Sequence, residues 1–164
     1  MKAELEDGFA SFVAASSDRW YRVAWAITRD HEPTEEAVRV ALAAAYARWP
    51  RVSRNPEPYV RKVLVNHALG WGRRRPTPVR PHADVQMRRS ADRDLVDTDA
   101  VWAAMRELPV GQRAVIVLRY YERLSEADVA HALSIRPEVV QAQTSAALSD
   151  LRRLLALARQ RARA

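Results

Sequence analysis

Cysteine is absent from all 164 residues, which excludes disulfides, thiolate nucleophiles and cysteine-based zinc sites together. A reducing compartment is permitted by that absence, and a cytoplasmic location is the expectation. Glycine is scarce, at four residues (Gly8, Gly70, Gly72 and Gly111), and no glycine-rich phosphate loop occurs. The four histidines, His31, His67, His82 and His131, are scattered, and no pair has the i, i+4 spacing of a helical metal site. No metal and no cofactor is therefore expected. Adjacent acids such as Glu35 and Glu36 fall at a predicted helix start, where they complement the positive dipole end better than they serve acid–base chemistry. The expectation is a protein that is not an enzyme. Nowhere do roughly eighteen apolar residues run uninterrupted, which removes a transmembrane helix and a membrane partner. The first ten residues carry Glu4, Glu6 and Asp7 without the apolar core of a secretion signal, so no export is expected.

What is present is positive charge and helical periodicity. Lys and Arg number 27 against 20 for Asp and Glu, a net charge of +7, and a surplus of that size attracts polyanions, nucleic acid before membrane surface. Charge alone is weak support, since many basic globular proteins bind no nucleic acid. Apolar residues make up 48% and charged residues 29%, enough for real cores and a wet surface. Apolar residues recur at helical rather than alternating spacing, so an all-α chain is expected.

Phe9, Phe12, Val13, Trp20, Val23, Ala24 and Ile27 form the first stripe, on one long helix or two collinear ones ending near Thr28 to Asp30. A second helix should start at Pro33 or Thr34, carry Val38, Leu42, Ala45, Tyr46 and Trp49 on its apolar face, and stop at Pro50. A third should begin at Asn55 and turn Val60, Val63, Leu64, His67 and Trp71 inward before Arg73, Arg74 and Arg75 close it. From Pro76 to about Asp92 the period lapses among Pro76, Pro78 and Pro81, as in a linker. The predicted organisation is two small helical domains, 1–75 and 93–164, joined by a linker over 76–92.

After the linker, helices are expected from Asp97 or Thr98 to Pro109 and from Gly111 onward. Ser125 and Asp128 then make an S-x-x-D capping box for a further helix. A corner at Ser134 and Ile135 leads to a long helix beginning near Pro137. The stretch from Leu124 to Leu154 thus reads as a helix-turn-helix, with Ala130 as the small crossing residue and Val140 facing the core. Its candidate DNA contacts are Ser125, Arg136, Glu138, Gln141, Ala142, Thr144 and Ser145; glutamine can pair with adenine, worth about 1–3 kcal/mol of discrimination in a good bidentate contact. The competing reading is an ordinary αα-hairpin.

A second candidate interface is Tyr59, Arg61, Lys62, Asn66, Trp71, Arg73, Arg74 and Arg75, where cations can track phosphates and aromatics can stack on unpaired bases. Its competing reading is a solvated basic face with Trp71 in the core. A third basic group, Arg152, Arg153, Arg159, Arg161 and Arg163, complements a helix C-terminus and is read as solvated.

The chain resembles the extracytoplasmic-function (ECF) σ factors, especially their compact actinobacterial subfamily. The resemblance is carried by FASFVAASSDRWYRVAWAITRD at Phe9 to Asp30, AYARWPRV at Ala45 to Val52, PEPYVRKVLVNHALGWGRRR at Pro56 to Arg75, and VWAAMRELPVGQRAVIVLRYYERLSEADVAHAL at Val101 to Leu133. It implies a helical domain that binds the β′ clamp helices of core RNA polymerase and opens the −10 promoter element. A second helical domain would read the −35 element and meet the β flap, and an anti-σ factor is a further partner the resemblance admits. By position, Tyr59 to Arg75 would be the −10 helix, and Glu35, Glu36, Arg39 and Val40 would dock on polymerase. The chain departs from the family in several places. Thr34 to Val40 stands where A-E-D-L-V-Q-E is typical, so Arg39 replaces glutamine and Val40 replaces glutamate. Gly70 replaces an acidic or hydroxyl residue, and Gln141, Ala142 and Ala146 replace lysine, serine and arginine. Ser134 replaces a corner glycine. These departures leave two alternatives beside a divergent σ factor: a σ-derived regulator that no longer initiates by itself, and a protein-interaction module that kept the fold.

Overall fold

The structure, a computed structural model, describes residues 2–74 and 98–163. The expected linker at 76–92 and the candidate residue Arg75 lie outside the described residues. Those described are helical, with no strand among them.

Helix α1 (Lys2–Thr28) is continuous. Trp20, Val23, Ala24 and Ile27 are buried, as the stripe requires, and so are Trp25 and Ala26. The end of α1 is enclosed all round because helices from both halves of the chain pack on it. Ser16 is buried too, its hydroxyl donating to Phe12 O (2.7 Å). Arg29, at φ 57°, breaks the helix, and α2 (His31–Ala47) follows, two residues earlier than the expected Pro33.

The face that α2 buries keeps Ala45 of the expected row, and Trp49 is buried as expected on the next helix, but the centre of the face is shifted. Ala37, Ala41 and Ala45 are fully enclosed, Val38 and Leu42 are half-buried, and Tyr46 is 53% exposed, resting on Phe9. Alanines at i, i+4 spacing let α2 approach its neighbours closely, so the larger residues flank the contact instead of filling it. Pro50 does not stop α2. The helix ends at Ala47, and Pro50 sits in the first turn of α3 (Trp49–Val52), where a missing amide costs nothing.

Helix α4 (Glu57–Arg74) starts two residues after Asn55 and buries Val60, Arg61, Leu64, Val65 and Ala68. Val63, His67 and Trp71, expected inside, are half-buried, and Arg61, expected outside, is 8% exposed. The face is turned because α4 packs on two sides, against α1 and α2 and against the C-terminal helices.

Those are α5 (Thr98–Glu107), α6 (Val110–Ile116), a π-helical turn (Val117–Tyr121), α7 (Glu126–Leu133) and α8 (Pro137–Arg163). Met105, Leu108, Val115, Ile116 and Leu118 join the core. The Ser125 side chain accepts from the Asp128 amide (3.1 Å) and donates to its carboxylate (2.6 Å), so the expected cap is made. At the corner Ser134 adopts φ 56°, ψ 41°, and Val140 is fully buried on α8. The C-terminal helices touch the N-terminal ones along α4 with α6 and α7, and along α1 with α6 and the π turn.

A left-handed conformation at a residue with a Cβ costs about 1–2 kcal/mol. Glycine avoids that cost but loses more entropy on folding. Ser134→Gly should therefore raise stability by about 0.5–1 kcal/mol, and Ser134→Val, with a branched Cβ, should lower it by more than that; urea unfolding midpoints of the three proteins check the order.

Candidate nucleic-acid interface

The helix-turn-helix is formed by α7, the Ser134 corner and α8. Burial of Val140 and Ala147 fixes the rotation of α8, and this leaves Glu138, Gln141, Ala142 and Ser145 exposed on its first turns, with Arg136 exposed just ahead. Thr144 is half-buried and its hydroxyl donates to Val140 O (2.7 Å), which leaves the oxygen able only to accept. Ser125 is exposed, but its hydroxyl is occupied by the α7 cap. From Glu138 to Ser145 the face contains no Lys or Arg. Only the positive end of the helix dipole and Arg136 draw a phosphate there.

The second surface lies on α4. Tyr59 is half-buried under Arg48, whose Nη1 donates to the phenol oxygen (3.0 Å) and whose guanidinium sits 5.5 Å from the ring centroid. A groove of about 450 Å³ opens beside it, lined by Val40, Arg48, Tyr59, Lys62, Val63, Asn66, His67 and Ser134. An adjoining cleft of about 390 Å³ is lined by Glu36, His67, Trp71 and Arg74. Arg73 and Arg74 are exposed, and Arg74 Nε donates to Gly70 O (3.1 Å), serving the last turn of α4.

Two members of the expected set point elsewhere. Arg61 turns into the seam between the halves and pairs with Glu122 (3.3 Å) and Glu57 (3.7 Å), so in this conformation its guanidinium is not offered to a phosphate. Asn66 Nδ2 donates to Lys62 O (2.6 Å) and across the seam to Ala132 O (2.9 Å). Sequence reasoning passed over Arg48, His67 and Ser134 as groove residues and Glu122 as the partner of Arg61. These meet only through long-range packing, and no local pattern announces them.

On α2, Glu35 and Arg39 are exposed and Glu36 and Val40 half-buried. Arg39 Nη2 and Nε donate to both oxygens of Glu36 (2.6 and 2.9 Å). That hydrogen bond holds the Glu36 carboxyl below the usual carboxylate range and raises Arg39 above its ordinary value. This edge of α2 therefore presents a self-paired cation and carboxylate beside Glu35, on which His31 lies at 3.2 Å. In the seam the hydrogen bond to Glu122 raises Arg19 despite its partial burial, while burial, with Arg29 nearby, pushes Arg113 down to about 10. No cluster of His, Asp and Glu among the described residues has the geometry to hold a metal, and none of their helices is long and apolar enough to cross a membrane.

Residues 98–151 match the family model for Sigma-70, region 4. The chain is 31% identical over 153 residues to the RNA polymerase sigma-E factor of Streptomyces antibioticus, covering 88% of this chain and 82% of that protein. It is 30% identical over 151 residues to the RNA polymerase sigma-E factor of Streptomyces coelicolor, covering 88% and 84%. Among solved structures, the sigma factor RpoE of Bartonella quintana, in complex with the anti-sigma factor NepR, superposes with a TM-score of 0.68 at 19% identity, covering 90% of this chain and 96% of that one.

Exposed cations on α4 should act on a strand chiefly through counterion release, with a log–log salt slope of about −0.7 per phosphate neutralised on single strands. Arg73→Ala with Arg74→Ala should flatten the slope for a single-stranded oligonucleotide by roughly 1.4 and weaken binding across sequences alike; titrations between low and moderate salt check it.

Proposed function

The chain belongs to the RNA polymerase σ factors of the ECF type, and from that premise we propose a division of its promoter and polymerase contacts among three surfaces. Transcription initiation with binding of promoter DNA and core RNA polymerase is the function of this chain as a σ factor, and the family is one of non-enzymatic transcription factors. The finer reading is that the chain has no enzymatic activity of its own and works in the cytoplasm.

The −10 element is engaged by α4 through Tyr59, Lys62, Trp71, Arg73 and Arg74, with Arg75 in the same row and with Arg61 and Asn66 joining it when the lobes part. The −35 element is met by α8 through Glu138, Gln141, Ala142, Thr144 and Ser145, with Arg136 and Ser125 at its flank. The β′ clamp helices take α2 at Glu35, Glu36, Arg39 and Val40, and the β flap takes the C-terminal half. The chain works as two lobes, 1–75 and 93–164, joined through 76–92. An anti-σ factor is a further partner, as the Bartonella σ factor was solved with one.

The observation that carries this reading is the helix-turn-helix itself: a capped α7, a left-handed corner and an α8 whose first turns are exposed while Val140 is fully buried. One observation favours a second reading, a σ-derived regulator that does not initiate by itself. The reading face of α8 lacks cations and the docking edge carries Arg39 tied to Glu36, so both contacts are electrostatically weaker than the family pattern.

Retention of core polymerase on the immobilised chain, combined with a promoter DNA shift assay, separates the two. An initiating σ factor retains core and shifts DNA only with it, whereas a regulator fails one or both. Arg39→Gln frees the Glu36 carboxylate, and Val40→Glu adds a second acid. The double variant should bind core more than tenfold tighter, about 1.4 kcal/mol, if a basic surface receives α2. Equal binding by the two proteins places the clamp contact elsewhere.

A further inference from the structure

The seam between the two halves is held by groups unlike those of an ordinary apolar interface. Glu122, just after the π turn, has only 3% of its side chain exposed. It accepts from Arg19 Nε (3.2 Å) and Nη2 (2.8 Å) on α1, and from Arg61 Nε and Nη2 (3.3 Å each) on α4. The N-terminal half supplies one acid of its own to these two cations, Glu57, which is 44% exposed. The second acid comes from the C-terminal half, so the group is balanced in charge only while the halves are together. Asn66 adds a hydrogen bond to Ala132 O (2.9 Å), a carbonyl of the last turn of α7 that no helical amide can reach. At the far end of α4, a Cβ on Gly72 would come within 3.0 Å of the Val110 side chain, so a larger residue there would require Val110 to give way by a few tenths of an ångström.

The residues taken up in this seam are not a random sample of the surface. Arg61 and Asn66 belong to the row assigned to the −10 element, whereas the first turns of α8 and the Glu35 and Arg39 edge of α2 remain exposed. We propose that the seam is an autoinhibitory latch, pinned by Glu122, that withholds Arg61 and Asn66 of the −10 helix from nucleic acid while leaving the −35 and polymerase-docking faces open. This rests on the assignment of α4 to the −10 element. In the closed state the Arg61 guanidinium and the Asn66 amide are spent on protein partners. A single strand laid along α4 competes with the C-terminal half for both, and its phosphates replace Glu122 as the counter-charge of Arg61.

The test uses the full chain. Because it contains no cysteine, Ala43→Cys on α2 and Ser149→Cys on α8, both exposed, give a unique labelled pair for energy transfer between the halves. Glu122→Gln keeps the size of the pin and removes its charge; Arg19→Gln breaks the same bridge from the other side at a half-buried position and serves if the first variant is poorly folded by circular dichroism. Both should lower transfer efficiency and bind a fluorescent A/T-rich 20-nucleotide single strand about tenfold more tightly, while a 20-base-pair duplex, met by α8, changes less than twofold. Unchanged transfer in both variants overturns Glu122 as the pin. Opening without a gain in single-strand affinity overturns the gating. Arg73→Ala with Arg74→Ala in the opened background then tells which premise failed: weakened binding leaves α4 as the −10 helix and removes only the latch, and unaltered binding removes the α4 assignment as well.

Discussion

Glu122 is a carboxylate held with 3% of its side chain exposed, and a charge taken that far out of water persists only with compensating charge and hydrogen bonds on its oxygens. Two guanidiniums supply them, and both lie against the Trp20 ring, Arg19 at 4.9 Å and Arg61 at 5.7 Å from its centroid. Trp20 is fully buried, so the position of the cations follows from the packing of α1. The phase of α4 follows in turn, because Arg61 must point at the same place, and this turns Val60, Leu64 and Ala68 inward and His67 and Trp71 toward the groove. The π turn completes the constraint. Glu122 N donates to Val117 O (3.0 Å), one residue wider than a helical turn, which rotates the following side chain by about 100° relative to an uninterrupted helix.

Where the chain was legible as sequence, the structural cause lay within a few residues. Ser125 and Asp128 announce the start of α7 because the cap is a local hydrogen bond. Val140, Leu148 and Leu151 give the inward face of α8 because it packs on one side only. The corner at Ser134 shows in the spacing between the two helices, although serine carries no preference for its left-handed backbone. Faces set by packing on two sides were not legible. Tyr46 counted as core by size, but the Ala37, Ala41 and Ala45 row decides the α2 contact, and size gives way to closeness of approach. Arg61 counted as a solvent-facing cation because its acid lies sixty-one positions away on a turn whose π geometry has no sequence signal. The candidate site was accordingly half legible: Arg73, Arg74 and its α8 residues other than the half-buried Thr144 are exposed, whereas Arg61 and Asn66, read for a ligand, are engaged with protein in this conformation.

The distribution of charge explains how a chain of net charge +7 has so little of it on the first turns of α8. Arg19 and Arg61 are in the seam, Arg113 is buried beside α5 with Nη1 on Arg106 O (3.2 Å), Arg39 is paired with Glu36, and Arg48 lies over Tyr59. The tail of α8 carries Arg152, Arg153, Arg159, Arg161 and Arg163, far along the helix from its first turns. A summed positive field speeds approach to DNA, but contact affinity depends on cations at the interface. On α8 those reduce to Arg136 and a helix dipole, whose effect fades within one turn. In the proposed −35 contact, Gln141 supplies hydrogen bonds and Ala142 van der Waals contact, which would select among sites without holding the chain on any of them.

A partner can open a closed chain only by binding the open state more tightly than the closed one, and a contact available equally in both states shifts nothing however strong it is. This separates the three surfaces. The Glu35 and Arg39 edge of α2 and the first turns of α8 are exposed with the seam formed, so docking there concentrates the chain on its partner without altering the seam. Opening has to come from something that takes Arg61, Asn66 or the α7 carbonyl end for itself, or that pulls the two lobes to separate anchor points whose spacing the closed form cannot span. Core polymerase engaged simultaneously at α2 and at the C-terminal half satisfies the second condition, and a single strand on α4 satisfies the first. Since linkage is reciprocal, whichever of them opens the seam also raises affinity for the other by the same factor. Under the proposed latch, weak contact by α8 and the withholding of Arg61 and Asn66 belong to one arrangement, in which the free chain would bind promoters poorly and the assembled complex would add the residues that the seam had withheld.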